Sequence, residues 1–98
     1  RSDVFVVSFD KTDLNSRIKK VTELRSKGVS AEYSLKTVNT GKQMKQAASA
    51  NAKFVLFIGG EEEEQGKNKI KDLRSGEESL QEIDNSANFL KNRLGLNN

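Results

Sequence analysis

The 98-residue chain contains no cysteine, histidine, proline or tryptophan. Without cysteine and histidine, disulfide bonds, thiolate catalysis, Ser-His-Asp triads and ordinary zinc sites are excluded. No apolar run approaches the roughly 20 residues that a membrane-spanning helix needs. No signal peptide is recognisable, because the first apolar segment is short and charged residues follow it closely. The absence of cysteine is compatible with the cytosol. We therefore expect a cytoplasmic protein without a membrane partner, in which no residue pattern indicates catalysis.

The basic and acidic residues are unevenly distributed, although the formal net charge is only +3. Between Lys11 and Lys45 there are nine lysines and arginines against three acidic residues, an excess of six. The acidic residues concentrate in Glu61–Glu64 and around residues 77–84. A basic segment beside an acidic cluster suits a polyanion whose bases also need carboxylate contacts. A solvated surface of mixed charge explains the composition equally well.

Short apolar runs predict three buried strands, at Val4–Phe9, Val29–Tyr33 and Lys53–Ile58. Apolar residues at helical spacing predict three helices between and after them. Their boundary signals are Leu14 and Gly28 for the first helix, a Thr40/Gln43 capping box for the second, and a Ser79/Glu82 capping box with Gly95 for the last. Because helical crossovers join the first three strands, we expect these strands to be parallel.

A fourth, more polar strand is predicted at Lys67–Leu73. Its short link to the third strand favours antiparallel pairing. The chain is then a single α/β domain over residues 1–98, in which Arg1 and Ser2 are either a cloning remnant or a cut point. Tyr33, Phe54 and Phe57 are expected in its core, since strand aromatics in a small domain are usually buried.

Two glycines and four glutamates follow the third strand directly. The segment from Gly60 to Gly66 and Lys67 is one residue too long for a phosphate-binding P-loop, and Asn68 replaces the Ser or Thr that would bind magnesium. Contiguous carboxylates also lack the alternating spacing of a calcium loop, so we expect no metal site. For Glu61, Glu63 and Glu64 the simplest interpretation is a solvated helical turn.

Glu62 and Lys71 are candidates for a binding site because ligands of open α/β sheets bind outside the carboxyl ends of the parallel strands. A carboxylate accepts from guanine or cytosine amino groups, and an ammonium donates to base carbonyls or phosphate. Lysines near the predicted strand exit and helix starts are candidate phosphate contacts, although scattered surface lysines are common: these are Lys11, Lys36, Lys42 and Lys45. Gln43 is interpreted as a capping residue.

Several segments, in this order, resemble the anticodon-binding domain of class II aminoacyl-tRNA synthetases, most closely the histidyl enzymes. Glu23–Val29 is similar to the family pattern of Glu-Leu-Arg, two residues, glycine and an aliphatic residue. Lys42–Ala47 resembles the family's second helix, and Ala52–Val55 the start of its third strand. Glu62 after Ile58-Gly59, and the segment Ile70–Leu73, match its third-strand exit and fourth strand.

The resemblance implies a three-layer α/β/α fold, with a mixed sheet of four or five strands and three helices. It also implies binding to a tRNA anticodon loop, GUG for histidine, with Glu62 and Lys71 as the base-contacting residues. Two departures from the family stand out. The Ser-Gly turn at residues 75–76 runs almost directly into a predicted helix cap, so the family's fifth strand is expected to be missing or very short. Lys67–Lys69 lacks the usual aliphatic residues, which predicts a more exposed fourth strand.

A complete synthetase does not fit in 98 residues. The resemblance therefore implies that a catalytic domain outside this chain uses ATP and magnesium to attach histidine to tRNA, in a homodimeric parent enzyme. This domain itself is expected to be non-enzymatic and to need no cofactor. The alternatives are a non-catalytic dimerisation or regulatory module of a kinase or polymerase accessory protein, and a nucleotide-binding flavodoxin-like domain.

Overall fold

The secondary structure alternates strands and helices as far as the third strand and then adds two antiparallel strands. A computed structural model describes residues 2–96. Arg1, one of the two residues interpreted as a remnant, lies outside this range. The elements are β1 (Val4–Ser8), α1 (Leu14–Ser26), β2 (Ala31–Tyr33), α2 (Thr40–Ser49), β3 (Phe54–Ile58), α3 (Glu61–Glu64), β4 (Lys67–Asp72), β5 (Glu78–Glu82), a 3-10 turn (Ile83–Asn85) and α4 (Ser86–Leu94).

The five strands form one mixed sheet in the order β2-β1-β3-β4-β5. β1 pairs in parallel with both β2 and β3, as the helical crossovers predict. β4 pairs antiparallel with β3, and β5 with β4. Both predicted pairing directions, parallel for the first three strands and antiparallel for the fourth, are confirmed.

Helices cover both faces of the sheet, so the three-layer α/β/α architecture is confirmed. Residues of β1 alternate between the two layers: Val4 and Val6 pack with α1 and α4, whereas Phe5 and Val7 pack with α2. All five residues of β1 and all five of β3 are buried. Strands buried on both faces need continuous apolar sequence, which is why these two were recognisable.

The first helix ends as its sequence predicts. Gly28 adopts φ +90°, and the backbone N–H of Val29 donates to the carbonyl of Leu24 at 2.9 Å. Because the N–H of Val29 is part of this helix cap, β2 begins at Ala31 rather than at Val29.

The predicted capping box at the start of α2 is wrong. Asn39 is the N-cap, and its side chain accepts from the backbone N–H of Lys42 at 2.9 Å. Gln43 is fully buried and binds the end of β1 instead. A four-residue pattern does not reveal this, because the partner of Gln43 lies 35 residues away in the chain.

The expectation that the fifth strand is missing or very short is also wrong. Ser79 and Glu82, interpreted as a capping box, lie in β5, which pairs with β4 over five residues. Pairing satisfies the backbone of this segment, so α4 begins only at Ser86. Leu80 also lies on this edge strand and is 52% exposed. Residues 2–96 contain four α-helices, the three predicted and the short α3, which forms where a helical turn was expected.

The fourth strand is less exposed than its composition predicts. Asn68 is fully buried on the α4 side of the sheet, where its Oδ1 accepts from the hydroxyl of Ser86 at 2.9 Å. Lys67 and Lys69 lie on the other face and are half-buried. Tyr33, Phe54 and Phe57 are at least partly buried, as expected of core aromatics. Within residues 2–96, no helix has the length and apolar character that spanning a bilayer would require.

Candidate functional site

The carboxyl ends of the three parallel strands lie along one edge of the sheet, and most of the predicted site residues follow them. Lys11 lies in the loop after β1, and Lys36 in the loop after β2. Lys42 lies in the first turn of α2, and Glu62 in α3 after β3. The side chains of the three lysines are exposed. Lys45 is exposed too but lies one turn further along α2.

Ser8, the last residue of β1, is tied to α2 by buried polar contacts. Its backbone N–H donates to Oε1 of Gln43 at 2.9 Å, and Nε2 of Gln43 donates back to the Ser8 carbonyl at 3.1 Å. Nε2 also donates to the carbonyl of Val38 at 3.0 Å, and the hydroxyl of Thr40 donates to the backbone carbonyl of Ser8 at 3.2 Å. Since buried amides are costly when unpaired, these contacts hold the start of α2 against the sheet edge.

Arg17 joins the loops after β1 and β2. Its guanidinium donates through Nη2 to the carbonyl of Lys11 at 2.9 Å. Nη1 donates to the carbonyls of Ser34 and, at 3.4 Å, Lys36. The residue is 1% exposed. Sequence reasoning missed this role, although Arg17 shares the helical spacing of the buried Val21 and Leu24 and so carried a readable signal.

Asp10 shapes the turn that carries Lys11. Its carboxylate accepts from the backbone N–H of Thr12 at 2.9 Å and from the Thr12 hydroxyl at 2.7 Å. These two hydrogen bonds lower the pKa of Asp10 below its ordinary value, the hydroxyl contributing most. Asp13 then caps α1 by accepting from the backbone N–H of Ser16.

An exposed aromatic ring lies at the same edge. Phe9 stacks on Phe57 with ring centroids 5.4 Å apart, yet 42% of Phe9 remains exposed. Gly60 leaves room for this ring, because a Cβ atom there would lie 2.8 Å from Cε2 of Phe9 and 3.1 Å from Oε1 of Glu62. The carboxylate of Glu62 therefore lies beside the ring of Phe9. Sequence analysis placed Phe9 in the first strand and gave no signal of its exposure.

The four glutamates of α3 differ in their surroundings. Oε1 of Glu63 accepts from the backbone N–H of Gly59 at 3.2 Å, so this carboxylate supports the turn after β3. Glu61 and Glu64 are exposed, as expected of a solvated helical turn. Glu62 is half-buried, and its carboxylate makes no hydrogen bond or ion pair with any residue from 2 to 96. Its carboxylate is free to accept hydrogen bonds from a ligand.

Glu62 borders an open groove of about 330 Å³ on the face of β4 and β5 that α2 leaves uncovered. Its lining consists of Glu62, Lys69, Glu78, Ser79 and Leu80. Nζ of Lys69 lies 5.1 Å from the centroid of the Phe57 ring and 3.8 Å from a carboxylate oxygen of Glu78. The groove therefore combines a free carboxylate, an ammonium group and apolar surface.

Lys71 lies on the same sheet face as Lys69 but two residues further from α3, opposite Val55 of β3. The structure thus brings Glu62 next to Lys69, which was not among the predicted contacts, rather than next to Lys71. Lys71 forms no ion pair in the described part of the chain, whereas Lys67 pairs with Glu82. The ammonium of Lys71 is therefore also available to a ligand. Residues 2–96 contain no group of three carboxylates that would hold a metal ion.

A mixed sheet flanked by helices, with a free carboxylate, an exposed ring and lysines where its parallel strands end, is the site arrangement of an α/β binding domain. The family model described as "Anticodon binding domain" matches residues 3–93. The chain belongs to this family.

The curated relatives of this chain include several histidine–tRNA ligases. It is 37% identical over 95 residues to the histidine–tRNA ligase of Elusimicrobium minutum, covering 97% of this chain and 22% of that protein. It is 33% identical to that of Caulobacter vibrioides, covering 97% of this chain and 19% of that protein. The crystal structure of apo S. aureus histidyl-tRNA synthetase matches with a TM-score of 0.82 and 30% identity, over 93% of this chain and 23% of that one.

The chain thus spans about a fifth of the length of the curated relatives it matches. The predicted resemblance and the fold class are confirmed. The relatives favour a synthetase domain over both alternatives, the non-catalytic regulatory module and the flavodoxin-like domain.

Proposed function

We propose that this domain recognises the anticodon loop of a tRNA as the C-terminal domain of a histidine–tRNA ligase. The observation that carries the proposal is the unpaired carboxylate of Glu62 beside the exposed ring of Phe9, at the carboxyl edge of the sheet in a chain of the anticodon-binding family. RNA sequence is usually read in loops, where unstacked bases expose both their faces and their edges.

Each of these groups suits part of a base. The exposed face of Phe9 provides a stacking surface for a base that leaves the loop. The carboxylate of Glu62 accepts from the N1 and amino hydrogens of guanine, which occurs twice in the GUG anticodon proposed as the target. The ammonium groups of Lys69 and Lys71 donate to base carbonyls or to the intervening phosphates.

The exposed lysines at the sheet edge are proposed to bind the RNA backbone. Lys11, Lys36 and Lys42 follow the parallel strands, and Lys45 extends the basic surface along α2. Contacts of this kind make affinity depend on salt, because each neutralised phosphate releases counterions. They do not distinguish one loop sequence from another.

The parent enzyme is proposed to be a cytoplasmic homodimer that attaches histidine to tRNA. Its catalytic domain, outside this chain, would use ATP and magnesium. The domain described here is proposed to contribute tRNA binding alone, with neither catalytic activity nor a cofactor of its own. Its partners would be the tRNA and the parent's catalytic domain.

The test is the binding of a fluorescent GUG anticodon stem-loop to this chain, beside a stem-loop with a scrambled loop, at two salt concentrations. Wild type, Glu62→Ala and Glu61→Ala would be compared. Glu61 is the matched control, since it is an exposed glutamate of the same helical turn. A lost carboxylate–guanine contact should reduce the preference for GUG about tenfold in Glu62→Ala, since such pairs contribute roughly 1–3 kcal/mol. Glu61→Ala should retain the preference.

Two outcomes would contradict the proposal. Equal, salt-sensitive binding of both loops by wild type would reduce the site to a basic surface without base recognition. A folded domain that binds neither loop would contradict anticodon recognition altogether.

A further inference from the structure

Arg17 is buried where an apolar residue would be expected. It shares the core-facing side of α1 with Val21 and Leu24 and is 1% exposed. Among residues 2–96 it forms no ion pair with a carboxylate, and its Nε has no hydrogen-bond partner. Burying a guanidinium costs free energy that an apolar side chain of similar volume would avoid. Core packing alone therefore does not account for an arginine at this position.

What the guanidinium adds is a set of contacts to two separate loops. Its terminal nitrogens donate to the backbone carbonyls of Lys11, Ser34 and Lys36. The loops after β1 and β2 have no sequence continuity with one another, since α1 and β2 lie between them. One planar group that binds carbonyls in both loops fixes their relative position, because its donors have a rigid geometry.

Two of the three accepting carbonyls belong to lysines whose side chains are exposed. The backbones of Lys11 and Lys36 are held by Arg17, while their side chains extend into solvent. A lysine ammonium lies at the end of a flexible stem, so its position depends on how well its backbone is fixed. The arrangement therefore fixes the backbones of the two lysines relative to one another.

We propose that Arg17 is a positioning residue that joins these two loops so that Lys11 and Lys36 bind RNA phosphates as a pair. This inference rests on the proposed function. Arg17 itself does not touch the RNA, because it is buried beneath the two loops. Its contribution to binding is transmitted entirely through the two lysines.

The test is a double-mutant cycle on stem-loop binding, which compares Arg17→Met, the double variant Lys11→Ala/Lys36→Ala, and the triple variant. The double variant should make the negative slope of log affinity against log salt less steep by roughly 1.4 to 1.8, the value for two phosphates. Arg17→Met should show a similar reduction, and the triple variant should lose little more. The ratio of GUG to scrambled-loop affinity should stay unchanged, since phosphate contacts carry no sequence information. Independent, additive losses would overturn the proposal.

Arg25→Met is the matched control. Arg25 is on the same helix and also donates to a backbone carbonyl, that of Ala31 at 2.9 Å, but it contacts neither loop. Its variant should keep the wild-type salt slope. If Arg17→Met does not fold, Arg17→Lys serves instead, because an ammonium at that position cannot span both loops. Its slope should fall between those of wild type and the double variant, and a wild-type slope would overturn the proposal.

Amide hydrogen exchange without RNA separates this inference from the proposed function. In Arg17→Met, exchange should accelerate together at Asp13, whose N–H donates to the carbonyl of Asp10, and at Lys36, whose N–H donates to the Ser34 hydroxyl. Strands β3 and β4 should keep their protection. Unchanged exchange at both loops would overturn the positioning role. If exchange accelerates in Arg17→Met but wild type binds no RNA, the proposed function would be overturned, whereas the role of Arg17 in joining the two loops would stand.

Discussion

The ring of Phe9 lies directly against the backbone of Gly60, with its Cε2 atom only 2.8 Å from where a Cβ atom would be. Glycine is therefore required here by close packing rather than by backbone conformation, since φ of Gly60 is −109°. The contact joins the exit of β1 to the exit of β3 and places Glu62 beside the ring.

Replacing Gly60 by alanine should displace the Phe9 ring. We expect Gly60→Ala to destabilise the domain by about 0.5–1.5 kcal/mol, the range for a stacked aromatic pair. Urea denaturation would measure the loss. Gly41→Ala is the control, because a Cβ there meets only Asn39 Oδ1 at 3.5 Å. Since Gly41 lies in α2, this change should stabilise the domain by about 0.4–1 kcal/mol. A neutral Gly60→Ala variant would contradict the steric argument.

Replacing Phe9 by alanine should weaken RNA binding more than it weakens the fold. The ring is 42% exposed, so its contribution to the stability of the domain comes mainly from stacking on Phe57. A base that stacks on the ring contributes about 1–3 kcal/mol, so we expect roughly tenfold weaker stem-loop binding. Ile18→Ala, at an apolar position on α1 that is 38% exposed, should leave RNA affinity unchanged. Equal affinity of Phe9→Ala and wild type would exclude stacking at this ring.

Replacing Gln43 by leucine should be strongly destabilising, although the volumes are similar. The change leaves the N–H of Ser8 and the carbonyl of Val38 without their side-chain partner in a buried site. We expect a loss of about 2–4 kcal/mol, since each buried unpaired group costs about 1–3 kcal/mol. Gln46→Leu, one turn later on α2 and half-buried, should change stability far less. Chemical denaturation of both variants would decide, and equal losses would contradict a specific role for Gln43.

Asp72 should make stability depend on pH. Burial raises the pKa of its carboxyl, but the backbone N–H groups of Arg74 and Ser75, with the charge of Arg74, outweigh burial and lower the pKa below 3.8. A lowered folded-state pKa stabilises the fold above the unfolded value, and this contribution is lost as pH falls through the folded value. The difference in Tm between wild type and Asp72→Ala should thus be constant from pH 7 to 5. It should shrink below about pH 4, and a difference that is independent of pH would contradict this assignment.

The predictable parts of the fold are those whose local sequence alone shows that a segment is buried or that a helix ends. β1 and β3 are apolar throughout because both of their faces are covered. α1 ends where Gly28 adopts a conformation that other residues resist. By contrast, β5 was missed because this edge strand is stabilised by its pairing with β4. Its exposed residues show no sequence pattern typical of a strand.

The candidate site was predictable only in part. The position of Glu62 after the third strand followed from chain order, and so did the edge position of Lys11, Lys36 and Lys42. Its neighbours Phe9 and Lys69 did not follow, since they depend on strand register and on the space left by Gly60.

The amino-acid sequence alone establishes that this chain forms an α/β domain, because its apolar runs must be buried and its crossovers must be helical. It also carried the motifs of the anticodon-binding family. Which polar side chains are structural and which remain free to bind a ligand depends on the folded arrangement. Gln43 and Arg17 are buried and bind partners 35 and 17 residues away, whereas the carboxylate of the half-buried Glu62 has no partner among residues 2–96. The physical reason is that a hydrogen bond depends on positions in space, and residues distant in the chain meet only when the sheet assembles.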